Sequence, residues 1–244
     1  MTVRPDRAVR PPKSTRPHTG VLAVLVTLQR DPSEPGAADP RWPDRSGTLD
    51  AIAAGPRVPD RILVAHVGAG SIPLQRSPVR VLPAADTPEG RPPPADGPEV
   101  LRLPAGMTFA AAVTAAVQHC GGPSAQEFVW LLHDGVRPEP DALERLLTYA
   151  QVDRGAAVLG PKLVDGADPG ILLEAGVTVD RAGRRRTGVA PGQVDDGRCD
   201  DIRDVLAVSC AGALVRGSAW VRLDGLAVEL TAGVDLDLGW RAAR

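Results

Sequence analysis

The stretch Phe128-Val129-Trp130-Leu131-Leu132-His133-Asp134-Gly135 lies near the middle of the chain, and in it five apolar residues run abruptly into His-Asp-Gly. A short apolar run rich in β-formers reads as a strand buried on both faces. In open parallel sheets, ligands bind just past the carboxyl ends of the strands. Asp134 is therefore expected at the sheet edge, where a carboxylate can reach a metal or a phosphate-bearing ligand. A helix start follows at Pro138-Glu139-Pro140-Asp141, with Leu143, Leu146, Leu147 and Ala150 at i, i+3, i+4 and i+7. Strand, acidic turn and helix form the frame for the rest of the chain.

Upstream of this frame, residues 1–19 are polar, basic and broken by proline, and read as a disordered basic arm. Its arginines and lysine suit contact with an anionic membrane surface, though a solvated tail is the plainer reading. Gly20 to Leu28 reads as a first strand rather than the core of a signal peptide, because the apolar run is short. Asp31 to Ser46 reads as a Pro/Gly-rich loop and Thr48 to Ala54 as a short helix. Asp60 to Val67 reads as a second strand, closed by the Gly68-Ala69-Gly70-Ser71 turn, and Val79 to Leu82 as a third. Pro83 to Gly97 reads as a surface loop. Thr108 is placed to cap a helix carrying Phe109, Val113, Ala116, Val117 and Cys120 on one side, stopped by Gly121-Gly122.

Downstream, Ala156 to Pro161 reads as another buried strand. Ile171 to Val179 and Val205 to Val215 are further strand candidates, with Arg181 to Arg186 as a tight basic turn between them. Ser218 is placed to cap a short helix through Trp220. Strand and helix alternate in the first half, and the second half is richer in strands. That order predicts an α/β fold: a Rossmann-like, mainly parallel sheet flanked by helices, with an added antiparallel portion.

Composition narrows the function classes. The 244 residues carry a formal net charge of −2, so charge gives no reason to expect a nucleic-acid partner. Aromatics make up only 3% of the chain, so Val, Leu, Ile and Ala must build the core. Three scattered cysteines, Cys120, Cys199 and Cys210, form no C-x-x-C pair and fit a reducing compartment. No G-x-G-x-x-G follows the first strand, which argues against a dinucleotide-binding oxidoreductase.

The candidate chemistry sits on acids. Asp134 lies at a predicted strand end, and Asp235 and Asp237 form an Asp-x-Asp followed by Leu-Gly-Trp-Arg. Carboxylates at separate ends can divide labour, one holding a hard divalent cation and another taking a proton from a nucleophile. Each acid taken singly also suits a solvated loop or a helix cap. Arg184, Arg185 and Arg186 suit either phosphate contact or an exposed hairpin turn, and the turn is the plainer reading. His133 suits a ligand or a hydrogen-bonding plug, and His66 is better read as a plug. Cys210 has no His or Lys neighbour in sequence to activate it.

The stretches 128–138, 160–165, 173–180, 204–216 and 234–241 together resemble the family 2 glycosyltransferases of GT-A fold, in particular large actinobacterial members. Those members carry a W-L-L-H-D-D segment and a late D-D-x-D-x-G-W-R segment. The resemblance covers most of residues 20–244 and is specific from about 128 onward. It implies a GT-A-like domain over 20–244 and inverting transfer of a sugar from a nucleotide diphosphate-sugar donor to a glycan or lipid-linked acceptor. It also implies assistance by Mg²⁺ or Mn²⁺ and a place in cell-envelope synthesis, in the cytoplasm or at the inner face of the membrane. Asp134 would belong to the metal and diphosphate motif, with His133 beside it. Asp235 would be the catalytic base, and Asp237, Trp240 and Arg241 would complete a substrate-binding motif. The chain departs from the pattern at Gly135 and Val234, where the family has acids, and at His66 or Val67 after the second strand. It also lacks the closing helices that usually follow the late motif, which reads as a C-terminal truncation. These departures leave a second expectation open: a catalytically degenerate relative that only binds a ligand or a partner.

Overall fold

The computed structural model describes residues 20–28, 46–68, 80–82 and 98–244. The basic arm, most of the loops expected at 31–46 and 83–97, and the Gly-x-Gly turn beyond Gly68 lie outside the described residues. Eleven strands and five helices follow in order: β1 (Val21–Leu28), α1 (Ser46–Ala53), β2 (Arg61–Val67), β3 (Arg80–Leu82), β4 (Glu99–Leu103), α2 (Phe109–His119), β5 (Phe128–His133), α3 (Ala142–Val152), β6 (Val158–Leu159), β7 (Leu163–Val164), β8 (Leu172–Glu174), β9 (Thr178–Val179), β10 (Arg185–Arg186), β11 (Leu214–Arg216), α4 (Gly217–Leu223) and α5 (Val234–Ala242).

Seven strands form one mixed sheet in the order β3-β4-β2-β1-β5-β11-β6. The first five in that order are mutually parallel, and β11 runs antiparallel to both of its neighbours. The expected α/β architecture, mainly parallel with an antiparallel portion, is therefore present. Two further pairs, β7 with β8 and β9 with β10, stand outside the sheet as antiparallel two-stranded units.

Because side chains alternate along a strand, β1 feeds two cores at once. Leu22, Val24 and Val26 pack with Val113, Ala116 and Val117 of α2, with Trp220 of α4 and with Leu238 of α5. Val21, Ala23 and Leu25 pack on the opposite face with Ile52 of α1 and with Leu143, Leu146, Leu147 and Ala150 of α3. All four predicted core positions of α3 are buried. Burying each such Val, Leu or Ile side chain stabilises the fold by roughly 1.5–3 kcal/mol. Thr108 caps α2 as its sequence predicts, its Oγ1 accepting from the Ala111 amide at 3.1 Å.

Several expectations need correction. The sequence reading missed β4, which pairs between β2 and β3 and buries Glu99. The strand expected over 171–179 breaks into β8 and β9 at Gly176, whose φ of 80° leaves the extended region. Only the end of the strand expected over 205–215 joins the sheet, while Ala207 makes an isolated bridge to Val177. The strand expected over 156–161 is two half-buried residues. Arg216, not Ser218, occupies the cap position of α4. The tail, to which the sequence pattern assigned no element, forms helix α5 with Asp235 and Asp237 in its first turn.

Candidate functional site

The sheet order creates a reversal point. The chain leaves β1 through α1 to β2 on one side, and later returns through α2 to β5 on the other side of β1. Ligands of open α/β sheets bind outside the carboxyl ends at such a point. Asp134 sits there. Its amide donates to the Val26 carbonyl at 3.0 Å, and its Oδ2 accepts from the Leu28 amide at 3.3 Å. One carboxylate thus spans the ends of β1 and β5.

Gly135 follows with a φ of 85°, in the left-handed region where a side chain is strained. The Val136 amide turns back to the His133 carbonyl at 3.3 Å. Gly135 is therefore the residue that lets the chain reverse immediately after Asp134.

His133 does not project as an open ligand. Its ring stacks on Phe109 at 3.9 Å between centroids and 12° between planes, and burial lowers its pKa to about 4. It is neutral at pH 7. His66 is 1% exposed and shares a 2.8 Å hydrogen bond between Nδ1 and Thr27 Oγ1, as a polar plug would.

A second polar group stands at the same sheet edge. Leu214 lies opposite Trp130, the Leu131 amide donates to Ala213, and the Gly212 amide donates to Leu131. Since β11 is antiparallel to β5, the small residues Ser209 to Gly212 run past the carboxyl end of β5. The Cys210 thiol is buried there and pushed up to about 12, first by burial and then by the nearby Asp235 charge. It is an inert packing residue, not a nucleophile.

Asp235 lies in the first turn of α5, where a negative charge suits the helix dipole. Both of its oxygens are engaged. Oδ2 accepts from Arg185 Nε at 2.9 Å and Nη2 at 2.8 Å, and Oδ1 accepts from the Leu236 amide at 2.9 Å. Arg185 Nη2 also donates to Glu174 Oε2 at 2.6 Å. Burial pushes the Glu174 carboxyl above its usual range, against the pull of Arg185. Two carboxylates thus share one guanidinium. Glu174 is not among the candidates read from the sequence, and Arg185 enters there only within the Arg184–Arg186 cluster, whose plainer reading is an exposed turn. The available signal was strand alternation: in Arg185-Arg186 one side chain turns inward to this trio, and the other pairs outward with Asp180 at 2.6 Å.

Of the other residues in this stretch, Asp237 and Arg241 pair with one another. Arg241 binds Asp237 at 2.5 Å, one helical turn away, and donates to the Leu223 and Gly225 carbonyls at 2.6 and 3.1 Å. This ties α5 to the end of α4 and leaves the pair poorly placed to hold substrate. Trp240 is 51% exposed, with the Arg244 guanidinium over its ring.

Among the described residues, no three His, Cys, Asp or Glu side chains gather into a metal-holding group. The acidic loop at 195–204 already contains a cation: Lys162 bonds Asp195 at 2.5 Å and also Asp200. No helix among the described residues is long and apolar enough to cross a membrane. No protein-family profile matches the chain, and no curated protein matches it either.

Proposed function

We propose that this chain is a GT-A glycosyltransferase domain that receives a nucleotide diphosphate-sugar at the β1/β5 reversal point. In this reading it passes the sugar, with inversion, to a glycan or lipid-linked acceptor in cell-envelope synthesis. The observation that carries the reading is Asp134, suspended between the two strand ends by the Leu28 amide. The family resemblance of the 128–138 and 234–241 stretches supplies the sugar chemistry.

A single carboxylate fits Mg²⁺ or Mn²⁺, because such ions in phosphate sites take one or two carboxylates and complete their shell with phosphate oxygens and water. Asp134 is the residue that would hold the ion. When bound, it would neutralise charge on the leaving diphosphate. The Leu28 amide fixes the orientation of Asp134, and Gly135 keeps side-chain bulk away from the turn. His133, neutral at pH 7, adds no charge to oppose the metal. Asp235 takes the acceptor proton in this reading, once Arg185 releases one of its oxygens. The domain would work in the cytoplasm, with the basic arm at the inner face of the membrane.

The bidentate hold of Arg185 on Asp235 favours a second reading: a glycosyltransferase-like protein that binds the donor without transferring the sugar. Calorimetric titration of UDP-sugars with and without Mn²⁺ tests donor binding, and absence of metal-dependent binding sinks the enzyme reading. With a working donor and acceptor, transfer by the parent separates the two readings, and Asp235→Ala tests the base. Transfer that is present in the parent and lost in the variant supports the enzyme. Transfer that survives intact removes Asp235 as the base.

A further inference from the structure

Arg185 has one donor nitrogen that its ion pairs do not use. Nε and Nη2 serve Asp235 and Glu174, whereas Nη1 bonds no described residue. The side chain is 34% exposed and forms part of an open cleft of about 450 Å³, lined also by Arg186, Thr187, Gly188 and Gln193. Among the described residues, none that lines this cleft is acidic. Among the described residues the second arginine is held only by Asp180, in a pair whose Arg186 side chain is 59% exposed, and such surface pairs exchange readily.

We propose that this cleft binds a phosphoanion and that Arg185 couples it to Asp235. A phosphate group offers more charge and more acceptor oxygens than one carboxylate and matches the guanidinium fork in two-point contact. On entering, it bonds Arg185 Nη1 and draws the guanidinium off Asp235 Oδ2, leaving that oxygen open to a hydroxyl. The anion site stands on the cleft alone; the consequence for Asp235 rests on the reading of Asp235 as the acceptor's base. The phosphoanion is either a free diphosphate or a lipid phosphate headgroup.

The test uses the full chain labelled with ¹⁵N-arginine, the Arg185 Nε–H signal being identified by its loss in Arg185→Lys. One arm adds sodium pyrophosphate, and the other adds phosphatidylglycerol vesicles. Either probe is expected to move the Arg185 signal toward its position in Asp235→Asn, and the arm that does so identifies the source. Arg186→Gln should weaken pyrophosphate binding, followed by calorimetry, by at least about tenfold. That exposed substitution still carries the test if Arg185→Lys does not fold. An Arg185 signal unmoved in both arms, or moved as far by sodium chloride of equal ionic strength, overturns the proposal. Donor binding with Mn²⁺ is measured separately, so failure there leaves the cleft result intact.

Discussion

His133 makes the folded chain sensitive to mild acid, and the size of the effect follows from its burial. The ring lies against Phe109 at 3.9 Å, and its pKa falls from 6.5 to about 4. In the unfolded chain the same side chain titrates near 6.5. Between those values the unfolded state binds a proton that the folded state refuses, so stability is lost as the pH falls below 6.5. Each pH unit of the gap is worth about 1.4 kcal/mol. The loss is therefore about 2 kcal/mol at pH 5 and about 3 kcal/mol at pH 4, with a limit of about 3.4 kcal/mol at lower pH. Glu174 acts in the opposite sense: its raised pKa makes the folded state bind more protons as the pH falls. The comparison must therefore be made against a variant that keeps Glu174. His133→Phe preserves a ring stacked on Phe109 and removes the titration. Urea unfolding at pH 7.5 and pH 5, at constant m, should show the parent losing about 2 kcal/mol more than the variant between the two pH values. Equal losses in the two proteins would refute the assignment of a buried neutral imidazole at the end of β5.

Three further substitutions test the frame that positions the site. Thr108→Ala removes the side-chain cap of α2 and should lower unfolding stability by about 1 kcal/mol, read as a shifted urea midpoint. Gly217→Ala would place a methyl group 2.0 Å from the Ser124 carbonyl oxygen, where β11 gives way to α4, and should destabilise the chain by about 1–3 kcal/mol. Leu238→Ala empties a position that is 1% exposed and should lower the urea-derived stability by about 2–5 kcal/mol. Because α5 also carries Asp235, the Arg185 Nε–H signal should shift in the same variant.

The centre of the fold was readable because its strands are unmixed. β1 and β5 are short apolar runs that end abruptly, and such runs suit a sheet covered on both faces. The core stripe of α3 was equally plain, since its four leucine and alanine positions recur at helical spacing. β4 escaped because it carries Glu99 and Arg102 and follows a long Pro-rich segment; its pairing between two strands, not its composition, makes it a strand. The long strand candidates after residue 170 failed at Gly176 and Gly212, whose φ of 80° and 122° interrupt the extended chain.

The candidate site was legible where it depends on strand ends and illegible where it depends on distant pairing. Asp134 follows directly from its place after β5. The bond between Asp235 and Arg185 joins residues 50 positions apart, and no local pattern announces it. Asp237 and Arg241 lie at helical spacing, which points as readily to an internal ion pair as to a substrate motif. Gly135 stands where an acid was expected, and its positive φ supplies a conformational reason that composition alone does not contain.

The claim that Asp134 marks the ligand edge is tested most directly by paramagnetic broadening. Mn²⁺ added in the presence of UDP should broaden the amide signals of Leu28, Asp134 and Gly135 first, and Asp134→Ala should leave those signals sharp. Broadening centred on the acidic 195–204 loop, or an unchanged spectrum around Asp134, would contradict the account.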